Sequence, residues 1–331
     1  MSRVSVSGEP PLFDLRSYGR YGERTRDHLS PAEIAQIART VHRVPEVMVK
    51  VSGGGKTPGA VAAHFQYIDR HGELEIETDE GERLVGNGVE KKLLADWDLE
   101  GAAAERWSPY TGRPGRKPGK LVHNIVLSMP AGTPPEKLQA ASQAFAREQF
   151  ALKHRYALVL HTDQEHPHVH LVVKAVDEKG DRLNIRKATL RSWRQEFANQ
   201  LRAQGVAANA TPRQVRGETK SWKQDGIVRA ARRGQSTHLR RRVEAVARWM
   251  AAGTLPKEPA SSRLLETRNA VIRGWRDVAA RLHESGQPAL AGEVVRFVAR
   301  MPLPRTENQQ IAARLQERFR DRNCERLPPT R

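Results

Sequence analysis

Four histidines lie within ten residues near the middle of the chain, which is dense enough to predict a metal site. His168 and His170 are two residues apart, so on an extended strand their side chains project from the same face. Residues 156–160 form another β-prone run, and residues 163–167 between the two runs are rich in turn formers, which favours a hairpin. That hairpin would bring His161 opposite the other two, so that three imidazoles converge on one cation.

The predicted donor set indicates which cation this site would hold. Three imidazoles suit Mn, Zn, Ni or Co better than Mg. Asp163 is the predicted partner that orients one ring and fixes its tautomer. By strict alternation His166 faces away from His168 and His170, so it is left out of the ligand set. A zinc finger is excluded, because the chain has a single cysteine, Cys324. The remaining alternative to a metal site is a histidine-rich surface turn that binds no ligand.

The composition points to a polyanionic partner. The 331 residues include 56 Lys and Arg against 38 Asp and Glu, a net charge of +18, as expected of a nucleic-acid-binding protein. An anionic membrane surface is the alternative, but no apolar run approaches the ~20 residues of a membrane helix, and no apolar signal segment begins the chain. One cysteine excludes a disulfide framework and fits a reducing compartment. We therefore expect no membrane insertion and a cytoplasmic location.

The positive charge is concentrated toward the C-terminus. From Arg216 onward the chain has about 25 basic and about 12 acidic residues, so the preceding part is only mildly basic. Chemistry and electrostatic binding of a polyanion are thus expected in different parts of the chain.

Strands and helices alternate in the part that contains the histidines. The predicted strands are 47–51, 123–128, 156–160 and a run that ends near residue 176, and the predicted helices are 57–70, 134–150 and 189–204. Because a hairpin requires antiparallel pairing, we predict an α+β domain, an antiparallel sheet with covering helices, over residues 46–216.

Two further regions flank this domain. Residues 1–45 are predicted to be a poorly ordered arm with one helix, from Ser30-Pro31 to about Val41. Beyond Gly217 apolar residues recur at helical spacing, which predicts a basic all-α domain over residues 217–331. Its predicted helices are 240–250, 264–282 with the stripe Val271, Trp275, Val278 and Leu282, and 290–301.

A metal site in a basic protein is typical of phosphodiester chemistry, which requires an attacking group. The chain has five tyrosines. Tyr156 lies in an apolar strand and is predicted to be core, whereas Tyr67 lies on the helix that follows a run of three glycines. From its residue type alone, a helix tyrosine is more often a core or surface residue than a nucleophile.

The glycine run at residues 53–57 precedes a helix and has two interpretations. The Walker nucleotide-binding pattern is excluded because it needs a glycine where Lys50 stands. The backbone of Gly54 and Gly55, with Lys56, could cradle a phosphate at the helix N-terminus. A flexible strand-to-helix turn explains the glycines equally well.

Three segments together resemble the conjugative relaxases of the P-type mobilisation family, especially the branch of the T-DNA border nickases. They are 53–57 with 65–75 (Phe-Gln-Tyr-Ile-Asp-Arg-His-Gly-Glu-Leu-Glu), 123–132 (His-Asn-Ile-Val-Leu-Ser-Met-Pro-Ala-Gly), and the histidine segment 161–170. They occur in the family's order, and the likeness extends from about Val47 to Gly217. Met129 departs from the pattern, because an aromatic residue is common there.

The resemblance implies the palm-like fold of HUH endonucleases and a reaction at an origin of DNA transfer. Tyr67 would attack the scissile phosphate of one strand and form a reversible 5′-phosphotyrosyl link, with Asp163 as a possible base. The imidazoles would hold Mg²⁺ or Mn²⁺. Ser128 would position the DNA, and Lys56, Gly54 and Gly55 could contact a phosphate.

The resemblance also implies partners and a location. Single-stranded origin-of-transfer DNA would be the substrate, accessory nicking proteins would assist, and a type IV secretion coupling protein would receive the complex. The protein would act in the bacterial cytoplasm and be exported covalently bound to DNA. The C-terminal helices would bind DNA or this machinery, or serve as a partner-binding bundle.

Two other functions stay open at this point. A rolling-circle replication initiator or single-strand transposase uses related chemistry, but its tyrosine generally follows the metal motif, whereas Tyr67 precedes it. A non-catalytic DNA-binding protein with a structural metal is the second. Structural sites usually have four protein ligands, whereas three histidines leave a position open for substrate.

Overall fold

The structure is a computed structural model that describes residues 29–107, 119–218, 230, 233–254 and 258–324. Its described residues divide into two compact units, one from His42 to Ala210 and one that combines the residues before His42 with those from Thr211 onward. The domain limits proposed from the sequence, at residues 45 and 216, stay predictions. Within the described residues no helix is long and apolar enough to cross a membrane.

The unit from His42 to Ala210 is built on a six-stranded sheet. Its strands are β1 (Met48–Gly53), β2 (Ile76–Thr78), β3 (Arg83–Leu84), β4 (Val122–Ser128), β5 (Tyr156–His161) and β6 (His168–Lys174). They lie in the order β1-β4-β6-β5-β2-β3, and every neighbouring pair is antiparallel. The helices of the chain are α1 (Pro31–Val41), α2 (Pro58–Ile68), α3 (Val89–Asp96), α4 (Leu99–Trp107), α5 (Pro135–Phe150), α6 (Lys187–Ala203), α7 (Thr237–Ala251), α8 (Pro259–Glu284), α9 (Pro288–Ala299) and α10 (Glu307–Cys324).

Helices cover both faces of this sheet. On one face, Val169, Leu171 and Val173 of β6 pack in a core with α5 and α6. On the other, Val172 packs with α2, α3 and α4. Residues of one strand alternate between these two cores, as the pleat requires. The predicted α+β class, with its antiparallel sheet and covering helices, is confirmed.

Local sequence explains where α2 begins and ends. Thr57 is its N-cap and accepts a hydrogen bond from Ala60 N at 3.2 Å, and Pro58 occupies the first turn, where its missing N–H costs nothing. The predicted start is therefore confirmed. The helix ends at Ile68 rather than near Arg70, because Arg70 and His71 adopt positive φ angles of 55° and 59° and turn the chain.

The other unit is helical, as predicted for the C-terminal region. The stripe predicted on α8 is buried and packs with α9 and with Ile37 of α1. Trp275, the largest member of this stripe, also donates a hydrogen bond from Nε1 to Val215 O at 2.8 Å. The helix predicted within the arm is thus part of a core. Residues 1–28, and residues 108–118 of the segment 107–120, which its prolines, glycines and basic residues predict to be an exposed loop, lie outside the described residues.

Candidate metal and phosphodiester site

The β5–β6 hairpin brings the three predicted imidazoles together. Its register pairs His161 with His168 and Val159 with His170. Val159 of β5 and Val172 of β6 pack on the face of the sheet that α2 covers. Each histidine is an even number of residues from one of these valines on the same strand, so all three side chains project from that face. Their ring centroids are 4.5–5.1 Å apart. One nitrogen from each ring lies within 4.8 Å of the others, which suits a single cation.

Burial keeps two of these imidazoles neutral at pH 7. It lowers the pKa of His161, and with repulsion from His161 and His168 it lowers the pKa of His170 to about 3. A neutral imidazole keeps the lone pair that a metal needs. Among the described residues, Nδ1 of His170 is also buried without a hydrogen-bond partner. The donor set therefore fits a divalent cation that accepts nitrogen ligands.

Hydrogen bonds to backbone carbonyls set the tautomers of His161 and His168. His161 donates from Nε2 to Ile68 O at 2.6 Å, and His168 donates from Nδ1 to His166 O at 3.2 Å. This leaves Nδ1 of His161 and Nε2 of His168 as acceptors. The ring of His166 lies outside the triad and accepts a hydrogen bond from Ala131 N at 3.0 Å, which ties the hairpin to the segment after β4.

The structure corrects one expectation for Asp163. Its Oδ1 lies 3.9 Å from Nδ1 of His161, too far to orient that ring by a hydrogen bond. Asp163 instead forms an ion pair with Arg70 at 2.5 Å. Slight desolvation opposes the shift, but the hydrogen bond and charge of Arg70 lower the pKa of Asp163. A carboxylate with a lowered pKa is a weak proton acceptor, so this geometry disfavours Asp163 as the base.

Tyr67 lies on α2 beside the triad. Its ring centroid is 6.4 Å from that of His170, in an edge-on arrangement. Tyr67 is 56% exposed, in contrast to the buried Val61 and Phe65 of the same helix. The predicted nucleophile is thus next to the predicted ligands and open to a substrate, although its role as the attacking group stays a prediction.

Two residues of this site were missed by the sequence reasoning. His64 stacks beside Tyr67 with centroids 6.3 Å apart, and its ring meets that of His170 edge-on at 6.2 Å. The guanidinium carbon of Arg70 lies 5.4 Å from the centre of the Tyr67 ring. For His64 the signal was present, since residues three apart on a helix share a face, but a helical histidine is too common to single out. Arg70 lies beyond the end of α2, so helical spacing did not place it beside Tyr67.

Ser128 stands beside the triad but its hydroxyl faces the protein. It is directly opposite His168 in the β4–β6 pair and only 4% exposed. Its Oγ lies 3.3 Å from Pro167 O and 3.4 Å from Met129 O, two acceptors to which the hydroxyl can donate. Met129, the departure from the family pattern, is buried at 2% exposure. Ser128 therefore stabilises the hairpin in this structure, and its contact with DNA stays a prediction.

Packing accounts for two of the glycines that precede α2. A Cβ on Gly54 would lie 2.2 Å from Val122 O, and one on Gly55 would lie 2.4 Å from Cγ2 of Val61. Gly55 is buried, whereas Lys56 is exposed. The strand-to-helix turn therefore needs glycine for close approach, so the identity of these residues is no evidence for phosphate binding, which stays a prediction.

Replacing Gly54 with alanine should destabilise the unit from His42 to Ala210 by about 1–3 kcal/mol, the usual cost of overpacking a rigid site. The atom that the new methyl would meet is a backbone carbonyl of β4, which cannot move without disturbing the sheet. Urea unfolding followed by circular dichroism measures the change. Gly53→Ala is the matched control, because nothing lies within 4 Å of its Cβ position. Equal unfolding midpoints for the two variants would contradict the packing explanation.

Comparison with known proteins identifies part of this unit. Residues 82–206 match the family model described as "Relaxase: MobA/VirD2-like, nuclease domain". The match contains the histidine triad and Ser128 and begins after Tyr67. The T-DNA border endonuclease VirD2 of Agrobacterium fabrum is 26% identical over 188 residues, 53% of this chain and 41% of that protein. The protein of the same name from Rhizobium rhizogenes is 27% identical over 137 residues, 39% of this chain and 30% of that protein.

Solved structures give further likenesses. The MobM relaxase domain bound to plasmid pMV158 oriT DNA, in a Mn-bound crystal structure, has a TM-score of 0.36 and 12% identity, and covers 56% of this chain and 98% of that chain. A structure reported as the molecular basis of vancomycin resistance transfer in Staphylococcus aureus has a TM-score of 0.32 and 16% identity, and covers 51% of this chain and 99% of that chain.

The family model and the curated relatives confirm the resemblance drawn from the three sequence segments. The chain spans about two fifths or less of the length of the two curated relatives. Over residues 82–206 the chain is similar to the nuclease domain of the MobA/VirD2-like relaxases.

Proposed function

We propose that this protein nicks and rejoins one strand of DNA at an origin of transfer through a covalent 5′-phosphotyrosyl intermediate. The observation that supports this most directly is the exposed phenol of Tyr67 beside three convergent histidines, two of them neutral. The relaxase nuclease domain and the relatives named T-DNA border endonucleases support the same reaction class.

His161, His168 and His170 would hold a divalent cation, Mn²⁺ or Mg²⁺, of which the nitrogen donors favour Mn²⁺. Such a cation supplies neutralisation of the negative charge that builds on the phosphate oxygens. In this structure Nδ1 of His161 accepts a hydrogen bond from Arg70 at 3.3 Å, so a cation on that nitrogen would replace this bond.

Tyr67 performs the group transfer in this proposal. Its Oη forms a bond with the scissile phosphorus, the bond from phosphorus to the 3′ oxygen breaks, the phenol loses its proton and the 3′ oxygen gains one. Because a phosphodiester is exchanged for a phosphotyrosyl ester, the link stores the energy needed for rejoining, and no nucleotide cofactor is required. The two other functions considered above predict different products. A replication initiator or transposase would give replication or transposition intermediates, and a non-catalytic DNA-binding protein would give no adduct.

The test is covalent adduct formation by the purified protein. Single-stranded oligonucleotides that tile the DNA around its gene are incubated with the protein and Mn²⁺ or Mg²⁺, with EDTA as the control, and resolved by denaturing electrophoresis. We expect one oligonucleotide to give a metal-dependent band that survives denaturation. DNA and metal binding without any such band would favour a non-catalytic protein with a structural metal.

The substrate, partners and location extend this proposal. Origin-of-transfer DNA is the proposed substrate, and the bacterial cytoplasm is the proposed place of nicking. Accessory nicking proteins and a type IV secretion coupling protein are proposed to act before and after cleavage. The helical unit is proposed to add electrostatic affinity for DNA, because the region from Arg216 onward is strongly basic.

A further inference from the structure

Arg70 occupies an unusual turn immediately after the helix that carries Tyr67. Arg70 and His71 both have positive φ angles, 55° and 59°, a conformation that non-glycine residues rarely adopt. Hydrogen bonds fix this turn, from His71 N to Gln66 O at 2.9 Å and from Leu74 N to Asp69 O at 2.8 Å. Consecutive residues held in a disfavoured conformation are typical of functional sites.

The turn brings the guanidinium of Arg70 to one ligand of the metal triad and to the ring of Tyr67. Its Nη2 donates to Asp163 Oδ2 at 2.5 Å and to Nδ1 of His161 at 3.3 Å. Its Nη1 donates to Tyr67 O at 3.4 Å, and its Cζ lies 5.4 Å from the centre of the Tyr67 ring. Desolvation opposes the shift, but the hydrogen bond and charge of Asp163, with a smaller effect of Tyr67, raise the pKa of Arg70.

A structural salt bridge does not explain this arrangement well. The side chains of Arg70 and Asp163 are 28% and 51% exposed, and ion pairs at such sites contribute little to stability. A guanidinium carries five N–H donors, more than these contacts use, and its planar fork matches the oxygens of a phosphate. A cation bound to Nδ1 of His161 would also displace the hydrogen bond from Arg70, and this N–H group could then donate to a phosphate.

We propose that Arg70 is a catalytic residue that binds a non-bridging oxygen of the scissile phosphate, and that Asp163 is the positioning residue that holds its guanidinium. This inference rests on the proposed function, because it assigns the phosphate of that reaction. A phosphate between the triad and the phenol lies within reach of a guanidinium that already contacts both. Arg70 keeps its proton throughout, and its charge opposes the charge that develops on the phosphate while Tyr67 Oη bonds to phosphorus.

The decisive experiment compares Arg70→Ala on two substrates in single-turnover adduct formation. One is the ordinary oligonucleotide, and the other carries a methylphosphonate, which lacks the negative charge, at the scissile position in both diastereomers. We expect Arg70→Ala to slow adduct formation on the ordinary phosphate by about 10²–10³-fold, as for loss of one charge-stabilising donor. On the methylphosphonate we expect the loss to shrink to a few-fold. Arg70→Lys should be intermediate, because it keeps the charge and loses the fork.

Matched variants separate this role from folding and from positioning. Arg83→Ala removes an arginine that is 64% exposed and paired only loosely with Glu75, at 3.6 Å, and should react like the unaltered protein. Arg70→Gly suits the positive φ angle, so its thermal midpoint should match that of the unaltered protein while its rate falls as in Arg70→Ala. Equal losses on phosphate and methylphosphonate would overturn the proposal and leave Arg70 as a residue that merely orients Tyr67.

If the unaltered protein forms no adduct, the proposed function is contradicted. A binding measurement can still test whether Arg70 contacts a phosphate. The affinity for a single-stranded oligonucleotide is measured over a range of salt concentrations for the unaltered protein and for Arg70→Ala. Losing one phosphate contact should reduce the slope of log K against log salt by about 0.7. An unchanged slope would show that Arg70 does not contact a phosphate.

Discussion

Replacing Tyr67 with phenylalanine should remove the covalent adduct completely while the protein still binds its oligonucleotide. The change deletes only the oxygen proposed to bond with phosphorus and leaves the ring that packs against His64 and under Arg70. Noncovalent binding should weaken by less than about tenfold, since one hydrogen bond contributes only about 0.5–1.5 kcal/mol. Denaturing electrophoresis measures the adduct, and fluorescence anisotropy with a labelled oligonucleotide measures the binding.

Tyr156→Phe is the matched control for this variant. It removes the same hydroxyl from a residue of β5 that is 4% exposed and lies in the core on the other face of the sheet. That variant should form the adduct at the normal rate. An adduct that persists in Tyr67→Phe would identify a different nucleophile, and Tyr18, Tyr21 and Tyr110, which lie outside the described residues, would be the next to replace.

The sequence predicted those features of the site that follow from short-range periodicity. Two histidines two residues apart on a strand must share a face, and the turn formers before them require a hairpin, so the triad could be placed without coordinates. The stripe from Val271 to Leu282 was equally predictable, since four apolar residues at helical spacing need a common core.

Features that depend on weak or distant signals were not predicted. Strands β2 and β3 have three and two residues, too few to show an alternating pattern. Helix α10 is strongly polar over most of its length, so little distinguishes it from a solvated segment. The partner of Nε2 in His161 is the carbonyl of Ile68, and no side-chain pattern marks a backbone acceptor 93 residues away.

The contacts of Arg70 show why residue roles were harder to predict than residue positions. Arg70 is three residues after Tyr67, and Asp163 follows His161 by two, so each pair was visible in the sequence. Their meeting was not, because it requires the left-handed turn that ends α2. The ion pair lowers the pKa of Asp163, which disfavours this carboxylate as a base, and its contact with Arg70 is the observation from which we propose a positioning role.

Replacing His170 with alanine should abolish both Mn²⁺ binding and adduct formation. We expect the metal affinity to fall by more than about 100-fold, because loss of an outer-sphere partner alone typically costs 10–100-fold. Calorimetric titration of the metal-free protein with Mn²⁺ measures the affinity. The thermal midpoint provides a second readout, since Mn²⁺ should raise it in the unaltered protein and leave it unchanged in the variant.

His166→Ala is the control that separates a ligand from a hairpin residue. It removes an imidazole from the same hairpin, but one whose ring lies outside the triad and accepts a hydrogen bond from Ala131 N. It should keep its metal affinity. In the absence of metal, His170→Ala should stay folded, because Nδ1 of that imidazole is buried without a hydrogen-bond partner among the described residues and its loss leaves no polar group unpaired. Unaltered Mn²⁺ affinity in His170→Ala, or an adduct that survives EDTA, would mean that these histidines serve the fold and that another group stabilises the phosphate.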